Sequence, residues 1–149
     1  MQVEIFHSIV GIKGQHNEFK EEDRHFIFWG LKEIFIKMGG NPIDIGGHKD
    51  HIHILHKVHN PLDIPHIMIK FLNESVKWLN DNFEFQNQFT WHKGQVGLFV
   101  PDEIIAEFIL FIENQHKIHS MTSFREELKD IFEIWSMPNS DDIIQEYFE

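Results

Sequence analysis

Asp50-His51-Ile52-His53-Ile54-Leu55-His56 alternates imidazole and aliphatic side chains with a period of two. Two is the side-chain period of a β-strand, so His51 and His53 leave one face while Ile52 and Ile54 enter the other. Just upstream, Pro42-Ile43-Asp44-Ile45-Gly46-Gly47 reads as a second short strand, close enough across a tight turn to form a hairpin. Val3 to Ile12 is rich in apolar and β-branched residues and reads as the opening strand. Between them, from about Glu21 to Met38, apolar residues recur at helical spacing through Phe28, Leu31, Ile34 and Phe35, and Gly39-Gly40 ends the helix.

Downstream, Asp63 is placed to N-cap a helix from Ile64-Pro65 to about Asn80. Phe89 to His92 and Gln95 to Val100 read as further strand around Lys93-Gly94. Pro101-Asp102-Glu103 opens a helix that the periodicity carries to about His119, with acidic residues favourably placed on its N-terminal dipole. Ser123 and Glu126 fit a capping box for a helix to about Ile134, and a short helix is expected around Asp141 to Phe148. The first six elements follow the ferredoxin-like βαββαβ order. The predicted fold is therefore an α+β sandwich, a mostly antiparallel sheet with helices on one face plus C-terminal helices, with residues 1–149 as one domain.

Composition narrows the partners. Lys and Arg total 13 against 24 Asp and Glu, a net charge of −11, which opposes the electrostatic term of nucleic-acid binding. With no cysteine there are no disulfides or thiolate ligands, and no apolar run approaches the roughly 20 residues that span a bilayer. The N-terminus shows no secretory pattern, so a cytoplasmic protein is expected.

His51 and His53, two apart on one strand face, have the geometry of paired metal ligands; in a chain with twelve histidines such a pair also arises by chance. A second feature bears on the same question. At about 100° per residue, Ile104, Phe108, Phe111 and Gln115 fall within about 60° of one another on their helix. Gln115 thus puts an amide into an apolar stripe, where burial demands a partner: a backbone carbonyl, a water or a metal ion. Two imidazoles, one amide oxygen and waters would suit Mg²⁺ or Mn²⁺ better than zinc.

The segment Asp50 to Leu55 resembles the DHVHLL-like stretch of the HUH transposases of bacterial insertion sequences, including relatives associated with repetitive extragenic palindromes. Ile5 to Gln15 is similar to that family's opening strand (YVHIVFAVKGR), Glu74 to Asn80 to its SSKWIN stretch, and Trp91 to Phe99 to its WQxGYGAFS segment. Phe111-Ile112-Glu113-Asn114-Gln115 resembles its YIxNQ helix, followed by His116, His119 and Ser123 to Glu127. The likeness covers nearly the whole chain, in order and at compatible spacing. It implies a homodimer that binds single-stranded or hairpin DNA, with a divalent metal on His51, His53 and Gln115, and with a tyrosine that attacks the scissile phosphate to form a 5′-phosphotyrosine link.

The nucleophile would fall at position 111, which is Phe, and a phenyl ring has no oxygen to attack with. Gln95 replaces the other family tyrosine, Gln15 stands where an Arg is common, and the sole tyrosine is Tyr147. The resemblance thus implies a transposase-like protein that lacks the covalent step. The alternative is a naturally inactive, repurposed metal-binding or protein-interaction module on the same fold.

Overall fold

The computed structural model of the chain describes residues 3–14, 16–92, 96–119 and 122–134. Gln15, Lys93 to Gln95, Tyr147 and the helix expected around Asp141 to Phe148 lie outside them. Strand β1 (Glu4–Gly11) leads to α1 (Arg24–Lys37), β2 (Pro42–Gly47), β3 (His51–Val58), α2 (Ile64–Asn82) and β4 (Val96–Val100). After these come α3 (Ile105–Glu113), α4 (Gln115–His119) and α5 (Phe124–Ile134). The sheet order is β2-β3-β1-β4 with every pairing antiparallel, which is the ferredoxin-like arrangement expected from the element order.

The alternation of β3 divides the core. Ile52 and Ile54 join Val10, Ile27, Leu31, Phe35, Met68 and Phe71 in the layer between the sheet and the pair α1 and α2. On the opposite face, Leu55 packs with Ile5, Val100 and Ile112, while Ile9 and Val96 pack with Phe124, Leu128 and Ile131 of α5. The helices after β4 therefore cover the face that α1 and α2 leave open. Gly46 makes the crossing of α3 possible, because a Cβ there would collide with Ile112.

Local signals explain most boundaries. Gly39 takes φ +98°, and the amide of Gly40 donates to the carbonyl of Phe35, so the glycine pair closes α1 as expected. Ser123 Oγ accepts from the amide of Glu126 at 3.2 Å, the cap predicted for α5. Two details differ. Asp63 makes no side-chain cap; the turn before α2 is capped by Asn60, whose Oδ1 accepts from the amide of Leu62 at 3.1 Å. The helix expected to run through to His119 breaks at Asn114, whose side-chain amide donates to the carbonyl of Leu110 at 2.8 Å. Among the described residues no helix is long and apolar enough to cross a membrane.

His56 lies on the α1/α2 side of β3, buried beside Phe6 and Phe35 and hydrogen-bonded to Ser8 Oγ at 3.1 Å. Burial pushes its imidazole down to about 4 from an ordinary value near 6.5. The fold thus favours neutral His56, a contribution complete above pH 6.5 and lost as pH falls toward 4. From pH 7 to pH 5 the loss attributable to this group is roughly 2 kcal/mol. Urea melts at the two pH values should show this decline, and His56→Gln, which stays neutral and keeps a hydrogen-bonding group, should flatten it. An unchanged acid slope in His56→Gln would exclude His56 as its source.

Candidate metal centre

On the face of β3 opposite His56, His51 and His53 project together and are completely buried. Antiparallel register sets Ile9 of β1 opposite His53 and Gly11 opposite His51. His7, two residues before Ile9, shares this face, and its Nε2 lies 2.8 Å from His53 Nδ1. Above the sheet, α3 lays Phe108 against His7 and Phe111 against His53, with ring centroids 5.1 and 5.3 Å apart. The break at Asn114 then starts α4 with Gln115, whose Oε1 reaches within 2.9 Å of His51 Nε2. The structure thus brings His51, His53, Phe111 and Gln115 to one place.

Two further side chains enter the cluster that sequence reading did not assign to it. Glu127, on the sheet-facing side of α5, sets Oε1 2.5 Å from His53 Nε2 and 3.4 Å from His51 Nε2. His119, one helical turn after Gln115, sets Nε2 3.0 Å from Gln115 Oε1 and 2.6 Å from Glu127 Oε2. That second approach lacks the alignment of a hydrogen bond, and Glu127 Oε2 is a buried oxygen without a hydrogen-bond partner. The ligand atoms of His51, His53 and Glu127 all lie within 4.8 Å of one another, a spacing that can hold a metal ion. In the sequence Glu127 ends the stretch Ser123 to Glu127 of the family likeness, but beside the stripe Phe124, Leu128 and Ile131 a carboxylate on a surface helix is unremarkable.

The charges follow from this crowding. Burial would lift the Glu127 carboxyl, but His53, His119 and His51 outweigh it and hold the group well below the usual carboxylate range. Burial also pushes down on His51, yet hydrogen bonds to Asp50 and Glu127 prevail and raise its imidazole to about 9. Burial dominates for His53 and His7, which are held below the ordinary histidine value. The centre therefore sets the Glu127 carboxylate against a His51 that carries its proton at neutral pH and a His53 that does not, and a cation binding there must displace that proton.

Aromatic rings close the centre. Phe124 stacks flat on His51, with centroids 3.9 Å apart and planes 1° apart, and is itself buried. Phe111 closes the His53 side edge-on.

Comparisons with known proteins agree with this architecture. Residues 3–115 match a family model described as "Transposase IS200 like". The fold is similar to a crystal structure described as a candidate transposase from Deinococcus radiodurans R1, with a TM-score of 0.60, 19% identity, and coverage of 77% of this chain and 92% of that one. No curated protein gives a significant sequence match. His119 and Glu127 lie beyond the stretch matched by the family model.

Phe124→Ala removes both the ring on His51 and an anchor of α5. A Phe-to-Ala change in a core costs about 3–5 kcal/mol, and urea denaturation should show a loss of that size. A loss below about 1 kcal/mol, the range of surface substitutions, would mean that α5 is not docked on the sheet.

Proposed function

The chain belongs to the IS200-like transposase family, and from that premise we propose that it is a DNA-binding, metal-binding member without the family's covalent strand cleavage. The observation that carries this reading is Phe111. Its ring faces His53 beside the buried donor cluster, at the position to which the family likeness assigns the nucleophile. A tyrosine there would carry its oxygen toward the metal ligands, whereas phenylalanine presents only carbon and hydrogen. The family likeness assigns the ligand positions to His51, His53 and Gln115, and the buried group His51, His53 and Glu127, whose ligand atoms lie within 4.8 Å of one another, supports a divalent ion there. Such an ion, when bound, polarises a phosphate oxygen. For the open set of two imidazoles and one amide it would be Mg²⁺ or Mn²⁺.

The chain's own residues set what remains. His7 and Asp50 hold the outer nitrogens of His53 and His51, which fixes both rings in place. Single-stranded or hairpin DNA is the partner class, bound by a homodimer, and a net charge of −11 makes the contact weak and salt-sensitive. That same charge favours the second reading, a metal-binding or protein-interaction module that no longer engages DNA.

Fluorescence anisotropy with a hairpin oligonucleotide bearing a single-stranded flank separates the two. Binding is expected near 50 mM salt and should be largely lost by about 200 mM, with a dimer in sedimentation. Denaturing gels should show no protein–DNA adduct in Mg²⁺ or Mn²⁺. Absence of binding at low salt would favour the second reading, and an adduct formed by the unaltered chain would defeat the claim that the covalent step is lost.

A further inference from the structure

Helix α1 interleaves aromatic and basic side chains in the run Arg24-His25-Phe26-Ile27-Phe28-Trp29-Gly30-Leu31-Lys32. Its core positions, Ile27, Leu31 and Phe35, are buried in the layer between the helices and the sheet. Phe26 and Trp29 are instead 63% and 58% exposed. Three residues apart, they share the outward face of the helix and meet edge-on, with ring centroids 5.9 Å apart. Large aromatic rings held together in water mark an interaction surface.

Charge says what kind of partner fits it. From Arg24 on, α1 carries Arg24, Lys32 and Lys37 against Glu33 alone, whereas α3 and α5 are net negative and the whole chain is −11. The acidic turn Glu21 to Asp23 precedes the helix, at the end where its dipole favours carboxylates. His25 and Lys32 flank Trp29 one turn to either side. An apolar protein surface would fit the rings alone; rings interleaved with cations fit a polyanion with planar bases.

Beside Trp29, between α1 and the junction of α3 and α4, lies a cavity of about 460 Å³. Its floor is Asp44 to Gly47 of β2, an outer strand of the sheet, and Phe28, Trp29 and Lys32 line the α1 side. Gln115 belongs both to the opposite wall and to the metal centre, so the cavity opens beside the place to which the family likeness brings DNA. Glu21, Asp44 and Glu113 also line it. Those carboxylates repel a phosphate from the interior, but they accept hydrogen bonds from the amino groups of a base.

We propose that Phe26, Trp29 and this cavity form a stacking platform for the unpaired bases of a single-stranded DNA flank, whose phosphates stay outside on Arg24 and Lys32. This rests on the DNA-binding half of the proposed function and adds where and how the single strand is held. Stacking supplies affinity that a net charge of −11 does not oppose, and it is tolerant of sequence because every base has a flat face.

Fluorescence anisotropy at about 50 mM salt with a blunt DNA hairpin, and with the same hairpin carrying an oligothymidine flank, tests this. The flank should raise the affinity of the unaltered chain. Trp29→Ala should weaken the flanked hairpin by roughly 5- to 150-fold and leave the blunt one unchanged, and Trp29→Phe, which keeps a ring, should retain most of the gain. The slope of log affinity against log salt should be the same in Trp29→Ala and shallower by about one in Lys32→Gln. Because Trp29 is exposed, Trp29→Ala should keep the thermal midpoint of the unaltered chain. Oligothymidine alone should quench the tryptophan emission of the unaltered chain and not that of Trp29→Ala. A flank that adds no affinity, or undiminished flank binding in Trp29→Ala, would overturn the platform while hairpin binding keeps the proposed function standing. A Trp29→Ala chain that sediments differently yet binds the flank as before would give the face to a second copy and also overturn it. If neither oligonucleotide binds at low salt, the platform and the DNA-binding reading fall together.

Discussion

The two-residue period of β3 is the constraint on which the rest depends. Because successive side chains leave opposite faces, placing Ile52 and Ile54 in the main core forces His51 and His53 together onto the other side. A register slip of one residue would bury both imidazoles among Leu31, Phe35 and Phe71 and turn the isoleucines toward Gln115. The apolar demand of one layer thus specifies the polar geometry of the other. Pairing with β1 extends this, since the register that sets Ile9 opposite His53 also delivers His7 to the same face.

A cluster of this kind is costly to bury and must be complete to persist. The Glu127 carboxylate sits 3% exposed among three imidazoles, so removal of any member strands a polar group away from water. Apolar packing alone would hold α5 through Phe124, Leu128 and Ile131. The carboxylate adds directional information, because only one rotation and one height of the helix bring Glu127 to His53. Specificity of docking, more than gross stability, is what such a buried network contributes here.

How much of this was legible in the sequence depends on the range of each interaction. The strand period at residues 51 to 56, the glycine pair after α1 and the Ser123 cap are local patterns that the structure reproduces, whereas the stripe from Ile104 to Gln115 is split between α3 and α4. The break at Asn114 was hidden because it falls between Ile112 and Gln115 without disturbing the apolar spacing. Glu127 was hidden for a different reason. Its partner His53 lies 74 residues away, and no local pattern encodes how α5 rotates against a sheet. Gln115 stood out because an amide is conspicuous in an apolar stripe; a glutamate at the stripe's edge is not. His119 and Glu127 both fall in the stretch of family likeness, but their contacts with the centre emerge only once α4 restarts after the break and α5 docks.

Phe111 and the enclosure of the centre are, in physical terms, one feature. A tyrosine hydroxyl pressed against His53 needs a hydrogen-bond partner or water, and either one holds a path open to solvent. A phenyl ring makes no such demand. It packs with Ile9, Val96 and Leu128 in the apolar layer that α5 completes, and that layer lets Phe124 settle flat on His51. Once nothing at position 111 requires access, the helix can close and bring Glu127 inside. A centre in this state holds the Glu127 carboxylate against His53 and His51 out of contact with water.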